Sequence, residues 1–195
     1  MKIILASTSS IRRRLLENAG IPHICKKPDV DERKLTSIHP HWTPETAASE
    51  LAAAKAIAVS REESASLVIG ADQVLSHRGR VFDKPSSLDE CRKQLLQLRD
   101  SSHQLSSAVS CASQGKLLWT CVSIATLRMR PFTPEFLDAY LLAVGDDYLT
   151  TVGGYKLESI GLQMFDTIDG DYFTMLGLPL LPLLGFLRQH GTIPT

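Results

Sequence analysis

The sequence predicts an α/β protein built on a mixed, twisted sheet flanked by helices. Three observations carry that expectation. Short apolar runs alternate with capped helical stretches from one end of the chain to the other. Two long runs, residues 104–111 and 117–128, flank Gln114-Gly115, a hairpin signal that adds antiparallel pairing to the sheet. The chain has 195 residues, 44% of them hydrophobic and 22% charged, enough for a core without staples and consistent with a single domain over 1–195.

Each element has a local reason. Residues 2–6 form a buried strand, and residues 10–19 a helix closed by Gly20. Residues 21–28 read as a second strand, interrupted by Pro22 and ended by Pro28. The stretch DVDERKLTSIHPHWT is polar, holds two prolines and reads as a loop. Thr43 then caps an alanine-rich helix with Pro44 at its first position. Leu67-Val68-Ile69 is a buried strand ending at Gly70-Ala71-Asp72, and residues 79–80 turn the chain toward Val81-Phe82. SLDECRKQLLQLRDSSHQ is an amphipathic helix with Leu88, Cys91, Leu95 and Leu98 on one face. TPEFLDAYLLAVG is a helix started by Thr133-Pro134 and stopped by Gly145, and the chain closes with a short strand, loops and a final helix.

Composition excludes several roles. The 21 acidic and 21 basic residues cancel, which argues against a nucleic-acid or membrane binder working through overall charge. Cys25, Cys91, Cys111 and Cys121 form no CxxC pair or Cys/His cluster, so they read as reduced thiols of a cytoplasmic protein. Nothing at the N-terminus reads as a secretory signal, and MLGLPLLPLLGFLRQHG is too short and too broken by Gly and Pro to span a bilayer.

Chemistry concentrates at a few places. In ASTSSIRRRLL a strand hands over to a helix through small hydroxyl residues and arginines. A helix N-terminus presents unpaired N–H groups and a positive dipole end. Ser7, Ser9 and the Arg12 fork can therefore cradle a phosphate. Equally, Ser10 can cap the helix while the arginines face solvent. No P-loop glycines are present. Asp72 stands at the end of the most apolar strand, where α/β sheets place ligand-binding groups, and that strand is too apolar for a casual charge. Asp31-Glu32 and Glu158 lie in separate loop segments, and carboxylates of this kind converging near phosphate suit Mg²⁺. Lys84, just before Pro85, can neutralise developing phosphate charge. His103 reads as a structural, partly charged imidazole beyond a helix end.

Taken together and in order, these segments resemble the Maf/Maf-like nucleoside triphosphate pyrophosphatases. LASTSSIRRRLL, Asp31-Glu32, ELAAAKA, IGADQV, DKP, GGYKLESIG and GLPL carry the resemblance, from Lys2 to about Gly191. The resemblance implies two lobes around a central nucleotide cleft, as in inosine triphosphatase-like folds, and a homodimer. It also implies hydrolysis of an NTP to NMP and pyrophosphate by a water activated by Mg²⁺ or Mn²⁺. Ser7, Ser9 and Arg12 would hold the triphosphate, Lys84 would contact it, and Asp72 would be the base. Asp72 and Glu32 would handle the metal. The usual first arginine of the opening signature is Ile11 here, which leaves Arg13 to reach round as a second guanidinium. Glu158 and the Asp72-Gln73 pair look more like the branch acting on 7-methyl-GTP than the one acting on dTTP and UTP. A non-catalytic nucleotide-binding regulator of cell division is the rival reading, favoured by Ile11. A phosphate reader of nucleic acid through Arg12–Arg14 is opposed by the zero net charge.

Overall fold

The computed structural model describes residues 1–194. Seven strands form one mixed sheet in the order β2-β1-β3-β5-β6-β7, with β4 paired to β3. Contacts divide the chain into two compact units. The first holds Met1–Gln73, Ser106–Ser123 and the chain from Asp171 onward; the second holds Val74–Leu105 and Ile124–Gly170. Strands β3 (Ser66–His77), β5 (Ser102–Ser113) and β6 (Lys116–Met129) each contribute residues to both units.

In the first unit, β1 (Lys2–Ala6) pairs in parallel with β2 (Ile24–Cys25) and with β3 in the register Lys2↔Ser66 to Ala6↔Gly70. Helix α1 (Ser10–Asn18) follows β1 directly, and its N-cap is Ser9, whose side chain accepts from Arg12 N. Sequence had offered Ser10 for that role. The residue that supplies the cap must itself stay extended, and Ser9 does, with φ −69° and ψ 118°. Helix α3 (Pro44–Glu62) begins as expected, with Thr43 accepting from Thr46 N. It buries Ala48, Leu51, Ala52, Lys55, Ala56 and Val59 on one stripe. Ile4, Ala6, Ala56, Val59, Val68 and Ala112 form one core cluster.

Two expectations for this unit need correction. Only Ile24–Cys25 of residues 21–28 pairs as a strand, because Pro22 and Pro28 bracket it closely. The segment read as a loop contains helix α2 (Glu32–Ser37), capped by the Asp31 side chain on Lys34 N. None of its residues is buried, so it carries no hydrophobic periodicity to read.

In the second unit, the end of β3 turns through Arg78-Gly79, both at positive φ (49° and 76°), into β4 (Arg80–Phe82), with Leu75 opposite Phe82. Helix α4 (Leu88–Leu98) buries Cys91, Gln94, Leu95 and Leu98, while Leu88, expected on that face, is exposed. Helix α5 (Pro134–Val144) starts at the Thr133 cap, and β7 (Phe165–Asp169) pairs antiparallel with β6. His103 comes after α4 but stands clear of its last turn, so the expected partial charge does not arise. It lies inside β5, buried, with Nε2 2.7 Å from the Tyr155 hydroxyl, and burial holds it neutral with a pKa lowered to about 4. In the first unit again, short α6 (Tyr172–Met175) and α7 (Leu180–Gln189) complete the chain, and Phe186 of α7 stacks on Trp119 of β6 at 4.9 Å.

Candidate active site

The first unit assembles its polar centre from four elements: the turn between β1 and α1, helix α2, helix α3 and strand β3. Ser7 is buried, and its Oγ accepts from Ser9 N at 3.2 Å, which holds the turn tight. A tight turn of small side chains leading into a helix N-terminus is the arrangement an anion needs.

Arg12, on the first turn of α1, is fixed at two points. Nε donates to Gly177 O and Nη1 to Ala71 O, both at 2.8 Å. Burial lowers its pKa and the charges of Asp72 and Glu32 oppose that shift; a guanidinium stays charged regardless. Gly177 has φ +84°, and a Cβ there would lie 3.3 Å from Nη2, so glycine lets the backbone reach the guanidinium. The fork is thus oriented in advance, and Nη2, without a hydrogen-bond partner among the described residues, can donate to an anion. Gln73 steadies the segment just before Gly177, its Nε2 lying 2.9 Å from Ser107 Oγ, 3.2 Å from Thr174 O and 3.1 Å from Met175 O.

Asp72 is buried, but it does not end its strand: β3 runs on to His77. The Gly-Ala that reads as an ending is instead a close-approach site. A Cβ on Gly70 would collide with Ala52 O and come within 2.7 Å of Ala56 N on α3. That closeness brings in a residue to which the sequence reading gave no role. Lys55 Nζ donates to Asp72 Oδ1 at 2.6 Å and sits 2.9 Å from Glu32 Oε1. Burial pushes the Asp72 carboxyl above the ordinary range, and the charges of Lys55 and then Arg12 pull against it. A signal for Lys55 was available. It occupies a core position on the α3 stripe of Ala48, Leu51, Ala52, Ala56 and Val59, where a lysine needs a buried partner.

Of the residues expected in the site, Ser7, Ser9, Arg12, Asp72 and Glu32 come together in this unit. Arg13 does not join them: it is exposed and pairs with Glu17 one turn along α1, Nε to Oε1 3.6 Å. Lys84 and Glu158 are exposed residues of the second unit. Asp72 and Glu32 offer hard carboxylate oxygens around one lysine, a donor chemistry that fits Mg²⁺ or Mn²⁺. Among the described residues no cluster of three or more His, Cys, Asp or Glu side chains could hold a metal.

A family model for the Maf-like protein matches residues 2–190. The chain belongs to the Maf-like protein family. This Maf-like chain is 48% identical over 193 residues to a nucleoside triphosphate pyrophosphatase of Caulobacter vibrioides, covering 98% of this chain and 96% of the relative. It is 46% identical over 195 residues to a 7-methyl-GTP pyrophosphatase of Brucella abortus (99% and 98% covered). It is 45% identical over 194 residues to another 7-methyl-GTP pyrophosphatase, of Rhizobium etli (98% of each). No helix of the Maf-like chain is long and apolar enough, among the described residues, to cross a membrane.

Proposed function

We propose that this protein hydrolyses a nucleoside triphosphate, 7-methyl-GTP, to the monophosphate and pyrophosphate. The observation that carries the reading is the buried Asp72 carboxylate held by Lys55, with the Arg12 fork and the open end of α1 beside it. Relatives named for this activity at 45–48% identity support it.

The residues suggest a division of labour. Ser7, Ser9, the first N–H groups of α1 and Arg12 bind the triphosphate tail. Lys55 fixes one oxygen of Asp72, and Oδ2, without a hydrogen-bond partner among the described residues, faces the attacking water. As the water oxygen bonds to the α-phosphorus, the α–β phosphoanhydride bond breaks and pyrophosphate departs. Asp72 takes the proton. A raised carboxyl pKa makes Asp72 a stronger base than an ordinary aspartate. Arg12 balances the negative charge that builds on the leaving pyrophosphate. A divalent cation held by Asp72, Glu32 and phosphate oxygens would supply further charge neutralisation when bound. The base assignment rests on the relatives named 7-methyl-GTP pyrophosphatase and on the chemistry of a carboxylate such as that of Glu158, which accepts from N1–H and the exocyclic amine of guanine and suits a cationic 7-methylguanine ring. The free thiols accord with a cytoplasmic setting, and a homodimer is the assembly we expect.

The test is pyrophosphate release from 7-methyl-GTP, GTP, dTTP and UTP on one preparation, with Asp72→Asn beside it. We expect 7-methyl-GTP to be preferred and the folded variant to lose turnover by several orders of magnitude. A pyrimidine preference refutes the base assignment. Binding without release of pyrophosphate favours a nucleotide-sensing regulator, and a near-native Asp72→Asn removes Asp72 from the chemistry.

A further inference from the structure

The GLPL segment enters the chemistry above through one atom, Gly177 O, which accepts from Arg12 Nε at 2.8 Å. That carbonyl stands where the chain leaves α6, at a glycine with φ +84°. A helix of four residues has little rigidity of its own. Side chains from two strands and one cap supply it.

The hub is Thr174 O. It accepts from Ser107 Oγ at 2.7 Å, from Gln73 Nε2 at 3.2 Å and from Gly177 N at 3.0 Å. Gln73 Nε2 also lies 2.9 Å from Ser107 Oγ, so the hydroxyl accepts from the amide while it donates to the carbonyl. Ser107, on β5, is fully buried, and Thr174 is almost so. A hydroxyl buried this deeply is costly unless it is hydrogen-bonded, and alanine would fill the place without that demand. At the start of α6, Asp171 Oδ2 accepts from Thr174 N at 2.8 Å and from Thr174 Oγ1 at 2.9 Å. Thr174 is therefore held at its amide, its hydroxyl and its carbonyl, three residues before the carbonyl that Arg12 grips.

We infer that Ser107 and Asp171 are positioning residues for the triphosphate site: through Thr174 they fix the Gly177 carbonyl, and through that carbonyl the direction of the Arg12 guanidinium. The inference rests on the proposed role of Arg12 as a triphosphate contact. All of these residues belong to the first unit. The other anchor of the fork is Ala71 O, which accepts from Nη1 one residue before Asp72. With Ala71 O alone the guanidinium can pivot about Nη1, and the direction in which Nη2 points is lost. With Gly177 O held as well, the fork has one orientation, and the cost of ordering it is met before an anion arrives.

The experiment is a double-mutant cycle read in two ways: kcat/KM with the nucleotide of the panel that turns over fastest, and the Kd of inorganic triphosphate by titration calorimetry. Tm is measured on each protein. Ser107→Ala leaves Thr174 O with two donors and Gln73 Nε2 with two carbonyls, so no buried polar group is orphaned and Tm should barely move. We expect its kcat/KM to fall, and its triphosphate Kd to rise, about tenfold, a change at constant Tm that a purely structural residue would not give. In an Arg12→Ala background, Ser107→Ala should cause no further loss in either readout. Asp171→Ala, at an exposed position, should lose activity several-fold, and Asp171→Asn, which keeps an acceptor for Thr174, should recover most of it. Losses that multiply in the Arg12→Ala/Ser107→Ala protein overturn the inference, as does native behaviour of both Ser107→Ala and Asp171→Ala while Arg12→Ala is impaired. If no nucleotide of the panel is turned over, the proposed activity fails and the triphosphate Kd alone decides the cycle. Full activity and unchanged triphosphate affinity in Arg12→Ala, or a native protein that neither turns over nucleotide nor binds triphosphate, would take down the phosphate role of Arg12 and the positioning role with it.

Discussion

Replacing His103 with glutamine should change how stability depends on pH more than it changes stability at neutrality. His103 is 1% exposed inside β5 and is bound through Nε2 to the Tyr155 hydroxyl. Burial first, and the nearby His77 second, push its pKa down from 6.5 to about 4. The unfolded chain takes up a proton at this imidazole below about pH 6.5, and the folded chain refuses it until about pH 4. In that window the unfolded state binds more protons, so stability falls as pH falls. At about 1.4 kcal/mol for each tenfold change in proton concentration, the full penalty is about 3 kcal/mol, absent above the window and complete below it. Urea unfolding of both proteins at pH 7.5, 6.5, 5.5 and 4.5 reads the effect. Glutamine cannot titrate, so any deficit it shows at pH 7.5 should shrink steadily toward pH 4.5, or reverse. A stability difference that stays constant over that range would refute the claim that His103 is held neutral by burial.

Two further substitutions test the site's construction. Gly70→Ala drives a Cβ into Ala52 O and to 2.7 Å from Ala56 N, both backbone atoms that cannot turn aside. Calorimetry should show a loss of about 2–3 kcal/mol, and turnover should fall with it as α3 shifts; unchanged stability would mean that α3 and β3 are not in such close contact. Lys55→Met leaves the buried Asp72 carboxylate without its nearest cation, at about 3–5 kcal/mol while that carboxylate stays charged. Because the folded carboxyl then holds its proton more tightly, the deficit should lessen as pH falls, and the acidic limb of the pH–rate profile should move to higher pH. A profile that stays in place in Lys55→Met would show that Lys55 does not govern the ionisation of Asp72.

The parts of the molecule that sequence made legible are those in which local chemistry dictates local structure. The β1–α1 turn was readable as a strand handing over to a helix because small hydroxyls before a helical run supply a cap, and Ser9 supplies it here. Thr43-Pro44 and Thr133-Pro134 were readable because a cap followed by proline admits little but a helix start. The charge of Asp72 could be singled out because its strand is apolar on both sides. Three features escaped for reasons that lie outside local sequence. Helix α2 has no buried face, so only its Asp31 cap announced it. Arg13 is drawn to Glu17 by their spacing of four along α1, a pairing that removes it from the cradle. The length of β3 was misjudged because Gly70 was taken as punctuation, whereas the contact that requires a glycine comes from another element.

That contact also accounts for the composition of α3. Alanine-rich helices are usually explained by propensity, since alanine is the best helix former. Here one alanine has a steric role: Ala56 turns its Cβ toward Gly70 while Ala52 meets it through its carbonyl oxygen, and a larger residue at Gly70 or Ala56 would hold helix and strand apart. Lysine has a fixed reach, and Lys55 Nζ must approach Asp72 Oδ1 closely while remaining within range of Glu32 on α2. Widening the gap between α3 and β3 would strand a buried ammonium and a buried carboxylate apart, each with its desolvation cost and neither with its partner. The small residues and the two charges therefore form one requirement. A variant that enlarges Ala56 should show the same loss of stability and the same displacement of the acidic pH limb as one that removes Lys55, although it touches no charged group.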